Sequence, residues 1–157
     1  MGLTTHYNDC MFGAGRIDRA TFGGIEAGGD KFVCAVGAGP NDLRDRVTIP
    51  TTNPNETLRR VIEYFQVKAK DTPLAGLGIG AFGPLDSDPM SARFGYITST
   101  PKADWSNTDL RGPIVKAFDL PVAFDTDVNA AALGESRWGA AHGLDDFIYL
   151  TVGTGIG

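Results

Sequence analysis

Three short segments of this sequence carry residue types suited to handling phosphate. In Gly24-Ile-Glu-Ala-Gly-Gly-Asp-Lys31, two adjacent glycines stand beside a carboxylate and a lysine. The backbone N–H groups of Gly28 and Gly29 can ring a phosphate, Lys31 adds positive charge, and Glu26 suits a hydrated Mg2+. The same string also serves as an ordinary hairpin with a Gly-Gly turn, where glycine tolerates positive φ. A second glycine loop, Gly153-Thr-Gly-Ile-Gly157, follows an apolar run and sets the Thr154 hydroxyl among backbone donors that include Gly155. It has neither the spacing of a dinucleotide fingerprint nor the form of a Walker loop. Two such turns about 125 residues apart suggest a phosphate clamped from two lobes, a geometry suited to phosphoryl transfer.

Between them lies Asp125-Thr-Asp-Val-Asn-Ala-Ala-Ala-Leu-Gly-Glu135. A strand ending at Phe124 places Asp127 at the carboxyl end of a parallel strand and the amino end of a helix, where open α/β sheets bind their ligands. The positive end of that helix suits a carboxylate that accepts a hydrogen bond from a sugar hydroxyl. Asp125 or Asp127 serves equally well as a plain helix cap. The helical period puts Ala131, Gly134 and Trp138 on nearly the face of Asp127, so small side chains are expected to pack closely beneath it.

The elements that must position these residues follow from local pattern. Residues 1–21 mix Gly, Asp, Asn and Arg without periodicity and read as a flexible leader. Phe22–Glu26, Lys31–Val36 and Leu43–Ile49 read as a three-stranded meander. Asn53 as cap, Pro54 in the first turn and Glu56 three residues after the cap open a helix whose buried stripe is Leu58, Val61, Ile62 and Phe65. Leu74–Phe82 is an apolar run suited to a central parallel strand. Residues 87–106 form a long excursion, with a small hairpin expected around Phe94–Ile97. A helix over roughly Leu110–Phe118, a strand Val122–Phe124, a helix Val128–Trp138 and a final strand Phe147–Val152 complete the order. The pattern predicts a mixed α/β sheet, an antiparallel meander continued by parallel strands, with helices on both faces. Residues 22–143 form one lobe, and 144–157 begin a second.

Composition narrows the partners. The chain has 157 residues, 42% of them hydrophobic, and a net charge of −5, so one core is feasible and no basic stripe exists for nucleic acid or an anionic membrane. No run reaches the roughly 20 apolar residues of a membrane span, and no secretory pattern opens the chain, which reads as cytoplasmic. With Cys10 and Cys34 as the two cysteines and His6 and His142 as the two histidines, no disulfide framework or metal-ligand spacing is present. Cys34 reads as a small core hydrophobe.

Taken together, the segments 24–31, 127–135 and 153–157 resemble the repressor/open-reading-frame/kinase (ROK) family of sugar kinases, over Phe22 to the last residue. Ile25-Glu-Ala-Gly-Gly, Phe82-Gly-Pro-Leu-Asp86, Thr100-Pro-Lys-Ala-Asp-Trp105 and Thr126-Asp-Val-Asn129 look most like its bacterial fructokinase branch. The resemblance implies an actin/hexokinase-like (ribonuclease H-like) ATPase lobe. It makes Asp127 the general base, and it places Glu26, Gly28, Gly29, Lys31, Gly153, Thr154 and Gly155 around the phosphates of ATP with Mg2+. Gly83, Thr100, Pro101, Lys102, Asn129 and Glu135 then line the sugar site.

The same resemblance implies a missing second half holding a structural zinc, further sugar contacts, the adenine pocket and a homodimer contact. The chain alone is therefore expected to be nearly inactive. Many glucokinase-type members carry Asn where Thr126 stands here. The family usually has Thr where this chain has Asp30, whose charge needs Mg2+ or Lys31 to offset it beside a γ-phosphate. Alternatives within the family are a kinase for glucose, mannose or an N-acetyl sugar. Outside it stand a sugar-responsive repressor, which requires a helix-turn-helix ahead of Phe22, and a non-catalytic fragment.

Overall fold

Strict alternation of buried and exposed residues opens the ordered chain, which the computed structural model describes over residues 20–152. In β1 (Thr21–Ala27), Thr21, Gly23, Ile25 and Ala27 point inward while Phe22, Gly24 and Glu26 point out, the period-two signature of a strand covered unevenly. β2 (Lys31–Gly39) and β3 (Asp42–Pro50) continue it as an antiparallel meander. The residues expected as leader lie, up to residue 19, outside the described ones.

Helix α1 (Pro54–Asp71) begins where its local signals place it. The Asn53 side chain accepts from the Glu56 N–H at 3.0 Å, and Leu58, Val61 and Phe65 are buried. Strand β4 (Leu74–Ala81) returns parallel to β1, and β7 (Val122–Thr126) pairs parallel to β4, giving the sheet order β3-β2-β1-β4-β7. Two close approaches locate the layers. A Cβ on Gly23 would lie 2.6 Å from the Phe65 ring, so α1 presses on that face. A Cβ on Gly80 would lie 2.7 Å from the Ala130 Cβ, so α3 (Asp127–Trp138) presses on the other.

The excursion folds onto this sheet rather than standing clear of it. Its expected local hairpin does not form. Instead β5 (Tyr96–Ile97) pairs antiparallel with β6 (Thr108–Asp109), and Ile97 also bridges to Leu85. Arg111 donates to the Val122 carbonyl and lies over the Phe94 ring, which meets Phe124 edge-on. Helix α2 (Gly112–Ala117) is shorter than its apolar stretch suggested, because the Asp109 carboxylate accepts from Gly112 N–H at 2.7 Å and starts the turn there. Leu110, just ahead of it, is packed in the core.

Two expectations fail. Phe147–Val152 joins none of the described strands, with a bridge at Val152 alone, and Ile148, Leu150 and Val152 are exposed at 87%, 70% and 80%. Gly134 has nothing within 4 Å of a notional Cβ and Trp138 is exposed, so close packing on α3 is confined to its first turn. No described helix is long and apolar enough to cross a membrane.

Two outcomes test this packing. Because neither the Ala130 Cβ nor the strand can swing aside, Gly80→Ala should lower stability by about 1–3 kcal/mol in urea unfolding. No loss would mean that α3 does not sit on β4. Burial pushes the Cys34 thiol from an ordinary 9.0 up to about 12. The unfolded thiol ionises near 9.0 while the folded one stays protonated, so stability holds below that pH and falls as pH rises towards 12. Cys34→Ala should flatten that decline in pH-dependent unfolding, and an unchanged slope would contradict it.

Candidate active site

The three strands β1, β4 and β7 end level with one another: Ala27 pairs with Ala81, and Ala81 with Thr126. At the usual strand spacing, the ends of β1 and β7 lie about 10 Å apart across β4. The β1–β2 turn, the Gly83 loop and the start of α3 therefore share one edge of the sheet.

At the start of α3, Thr126 takes the capping role, its Oγ1 accepting from Asn129 N–H at 3.1 Å. Neither aspartate is the cap, so both carboxylates are available for other work. Asp127 is the first helical residue and half-buried; its Oδ1 accepts from Val128 N–H at 2.9 Å, and its Oδ2 has no partner among the described residues. The Asp125 Oδ1 accepts from Thr126 N–H at 2.7 Å and from Asn129 Nδ2 at 2.8 Å. An ionised carboxylate only accepts, so it turns the amide nitrogen of Asn129 towards itself and leaves the amide oxygen facing out.

The β1–β2 turn is tighter than a free glycine cradle. Gly28 N–H is already committed to the Lys31 carbonyl at 3.0 Å, and a Cβ on Gly28 would come within 2.7 Å of that oxygen. Close approach, not a left-handed φ, requires glycine here, and Gly29 has open space around it. The N–H donors left without a protein acceptor among the described residues are those of Gly29 and Asp30. Thr51 holds the turn from behind, Oγ1 donating to the Gly28 carbonyl at 2.8 Å and N–H to the Asp30 carbonyl at 3.0 Å. Asp30 and Lys31 are exposed side by side, and Glu26 faces out in the same row as Gly80 and Asp125. Two unpaired amides beside a lysine fit a phosphate, and exposed Glu26 and Asp30 fit a hydrated cation.

The sugar-side residues divide. Phe82 N–H donates to the Ala27 carbonyl at 2.8 Å and sets exposed Gly83 beside the turn. Thr98 holds the Pro84 carbonyl through N–H at 2.8 Å and Oγ1 at 3.0 Å. The following loop is laced to itself: Thr100 Oγ1 accepts from Lys102 N–H, and the Ser106 hydroxyl clasps both ends of Thr100. Pro101 is exposed and Lys102 half-buried. Trp105, which ends the Thr100–Trp105 motif, is fully buried. Glu135 is not brought to the edge: eight residues along α3 carry it about 12 Å away, where its carboxylate accepts from Ala140 N–H. Gly153, Thr154 and Gly155 lie outside the described residues. Sequence reasoning missed Thr51 and Thr52; their one signal is position, directly after a strand and before a capped helix. A groove of about 580 Å3 is lined by Asn53, Leu58, Thr108 and Pro113 with Asp104 of the Thr100–Trp105 loop, and by none of the other expected site residues.

The model of the ROK family matches residues 22–157. The chain belongs to the ROK family. It is 47% identical over 135 residues to the fructokinase of Pediococcus pentosaceus, covering 86% of this chain and 46% of that protein. To the fructokinase of Streptococcus mutans it is 47% identical over 136 residues, covering 87% and 45%. Among solved structures, a ROK family glucokinase from Streptomyces griseus in complex with glucose and AMPPNP aligns with a TM-score of 0.74 at 27% identity, over 88% of this chain and 43% of that one. The chain thus spans less than half the length of these three relatives, and its mixed sheet with helices on both faces is the actin/hexokinase-like lobe.

The cap assignment is directly testable. Thr126→Val keeps the shape but removes the acceptor, and should cost about 1 kcal/mol in urea unfolding. A variant as stable as the parent would show that another group caps α3.

Proposed function

We propose that the protein carrying this chain is an ATP-dependent hexose kinase that transfers the γ-phosphoryl group to O6 of fructose, and that the chain is its amino-terminal lobe, residues 22–143, with residues 144–157 beginning a second. The observation that carries the reading is the level ending of β1, β4 and β7, which sets the free Oδ2 of Asp127 on the same edge as the unpaired amides of Gly29 and Asp30. The fructokinase relatives at 47% identity support the substrate. The AMPPNP in the Streptomyces glucokinase complex supports ATP.

In this reading Asp127 orients the fructose hydroxyl and accepts its proton late, as a loose transition state requires. Asn129 presents its amide oxygen to a sugar hydroxyl, with Gly83, Thr100, Pro101 and Lys102 around the sugar. Gly29 and Asp30 N–H and Lys31 would hold phosphate oxygens, and Glu26 and Asp30 would hold a hydrated Mg2+. When bound, that ion neutralises charge on the transferring group. Gly153, Thr154 and Gly155 close the clamp from the second lobe, where the expected zinc segment and dimer contact also belong. In this reading the enzyme works in the cytoplasm. A second reading, a glucokinase, draws on the glucose in the Streptomyces complex.

Coupled assays on the chain joined to the second half that its relatives carry should show ATP-dependent phosphorylation of fructose ahead of glucose, mannose and N-acetylglucosamine. Preference for glucose would favour the second reading. Asp127→Asn should lower kcat by at least about a hundredfold while fructose still binds. Near-normal turnover would remove Asp127 from its role. The 157-residue chain alone should turn over no hexose.

A further inference from the structure

The geometry points to Trp105 as a positioning residue that ties the sugar-side loop and the phosphate-side turn to one shared anchor, the Thr51-Thr52 junction; the roles of the two sides rest on the kinase reading above. The indole Nε1–H donates to the Thr52 carbonyl at 2.7 Å from a side chain with no exposed surface. Thr52 does not move freely: its N–H donates to Thr57 Oγ1 at 3.0 Å and its hydroxyl to the Glu56 carboxylate at 2.8 Å, both in the first turn of α1. One residue earlier, Thr51 grips the turn through the carbonyls of Gly28 and Asp30. Adjacent residues at the amino end of one helix thus hold both sides of the site.

The ring makes the same connection by packing. Trp105 lies 5.5 Å from Phe32, one residue past Lys31, and 5.7 Å from Phe82, one residue before Gly83. Directly above it, residues 100–104 hang between Thr98, held on Pro84, and the indole itself. An ordinary core tryptophan also finds an acceptor for its N–H, and losing that bond lowers stability without choosing among segments. A positioning tryptophan has a local signature: the loop and the turn loosen together, because the indole bond to Thr52 and the two Thr51 bonds to the turn meet at adjacent residues ahead of α1.

Hydrogen exchange on the 157-residue chain separates these possibilities whatever the substrate. Trp105→Phe keeps an aromatic ring and removes the N–H donor. Exchange at the Thr100, Lys102, Gly28 and Thr51 amides should then rise roughly fivefold to tenfold, while Leu77, bonded to Pro121 near the amino end of β4, stays as it was. Equal acceleration everywhere, or acceleration in the loop alone, would overturn the proposal. Should the phenylalanine variant fail to fold, benzothienylalanine at position 105 keeps the ring shape and removes the same N–H. In the kinase carrying both halves, Trp105→Phe should raise KM for fructose and for ATP together, roughly fivefold each, with kcat within about twofold. A lowered Tm with both KM values unchanged would make Trp105 a core residue only. If the parent protein phosphorylates no hexose, the kinase reading fails, and the exchange result still decides the anchor.

Discussion

The distance at which the first turn of α3 meets β4 governs the whole site, and Gly80 sets it. Any side chain there would drive into Ala130 and lift the helix. With only hydrogen at Gly80, α3 starts directly on the sheet, and Asp127 stands where β7 ends. The other contributions are arranged around that contact. β1 ends level with β4, so its turn faces the same opening, and Phe82 bonds back to Ala27 so that the Gly83 loop follows. Interiors packed at crystal-like density transmit such a displacement instead of absorbing it.

The division of labour at the start of α3 follows from hydrogen-bond supply. A helix start has orphan N–H groups, and Thr, Asp and Asn all satisfy them. Because Thr126 caps, Asp127 keeps one carboxylate oxygen without a partner among the described residues, and Asp125 holds Asn129. A chain that capped with Asp127 itself would aim that carboxylate at the helix amides instead of at the sheet edge.

Which parts of this were legible in the sequence depends on the range of the forces involved. The start of α1 was legible to the residue, since Asn53, Pro54 and Glu56 act within one turn, and of its expected stripe Leu58, Val61 and Phe65 are buried with the helical period while Ile62 is half-buried. The meander and the place of Asp127 were legible for the same reason, and the three motif segments carried the family. The choice of cap was not, because Asp125, Thr126 and Asp127 are competing caps offset by one residue. Nor were the partners of Tyr96 and Ile97, which lie thirteen residues away along the chain at Asp109 and eleven at Thr108. Trp105 read as part of a polar loop, because the acceptor and rings that bury it come from Thr52, Phe32 and Phe82. Gly28 read as a phosphate donor or a permissive turn residue, whereas its N–H is committed to the Lys31 carbonyl, whose crowding excludes a side chain there. Glu135 belonged to the motif in sequence yet sits at the far end of the helix, a separation that linear spacing does not show.

The central claim is that Asp127 and the β1–β2 turn address one pair of ligands across the ends of β1, β4 and β7. A crystal structure of the chain joined to its second half, bound to fructose and a non-hydrolysable ATP analogue, tests it most directly. The account predicts an Asp127 carboxylate oxygen within about 2.6–3.2 Å of a fructose hydroxyl, with the Gly29 and Asp30 amides turned to the phosphates. Fructose bound away from α3, or phosphates that leave those amides to water, would contradict it.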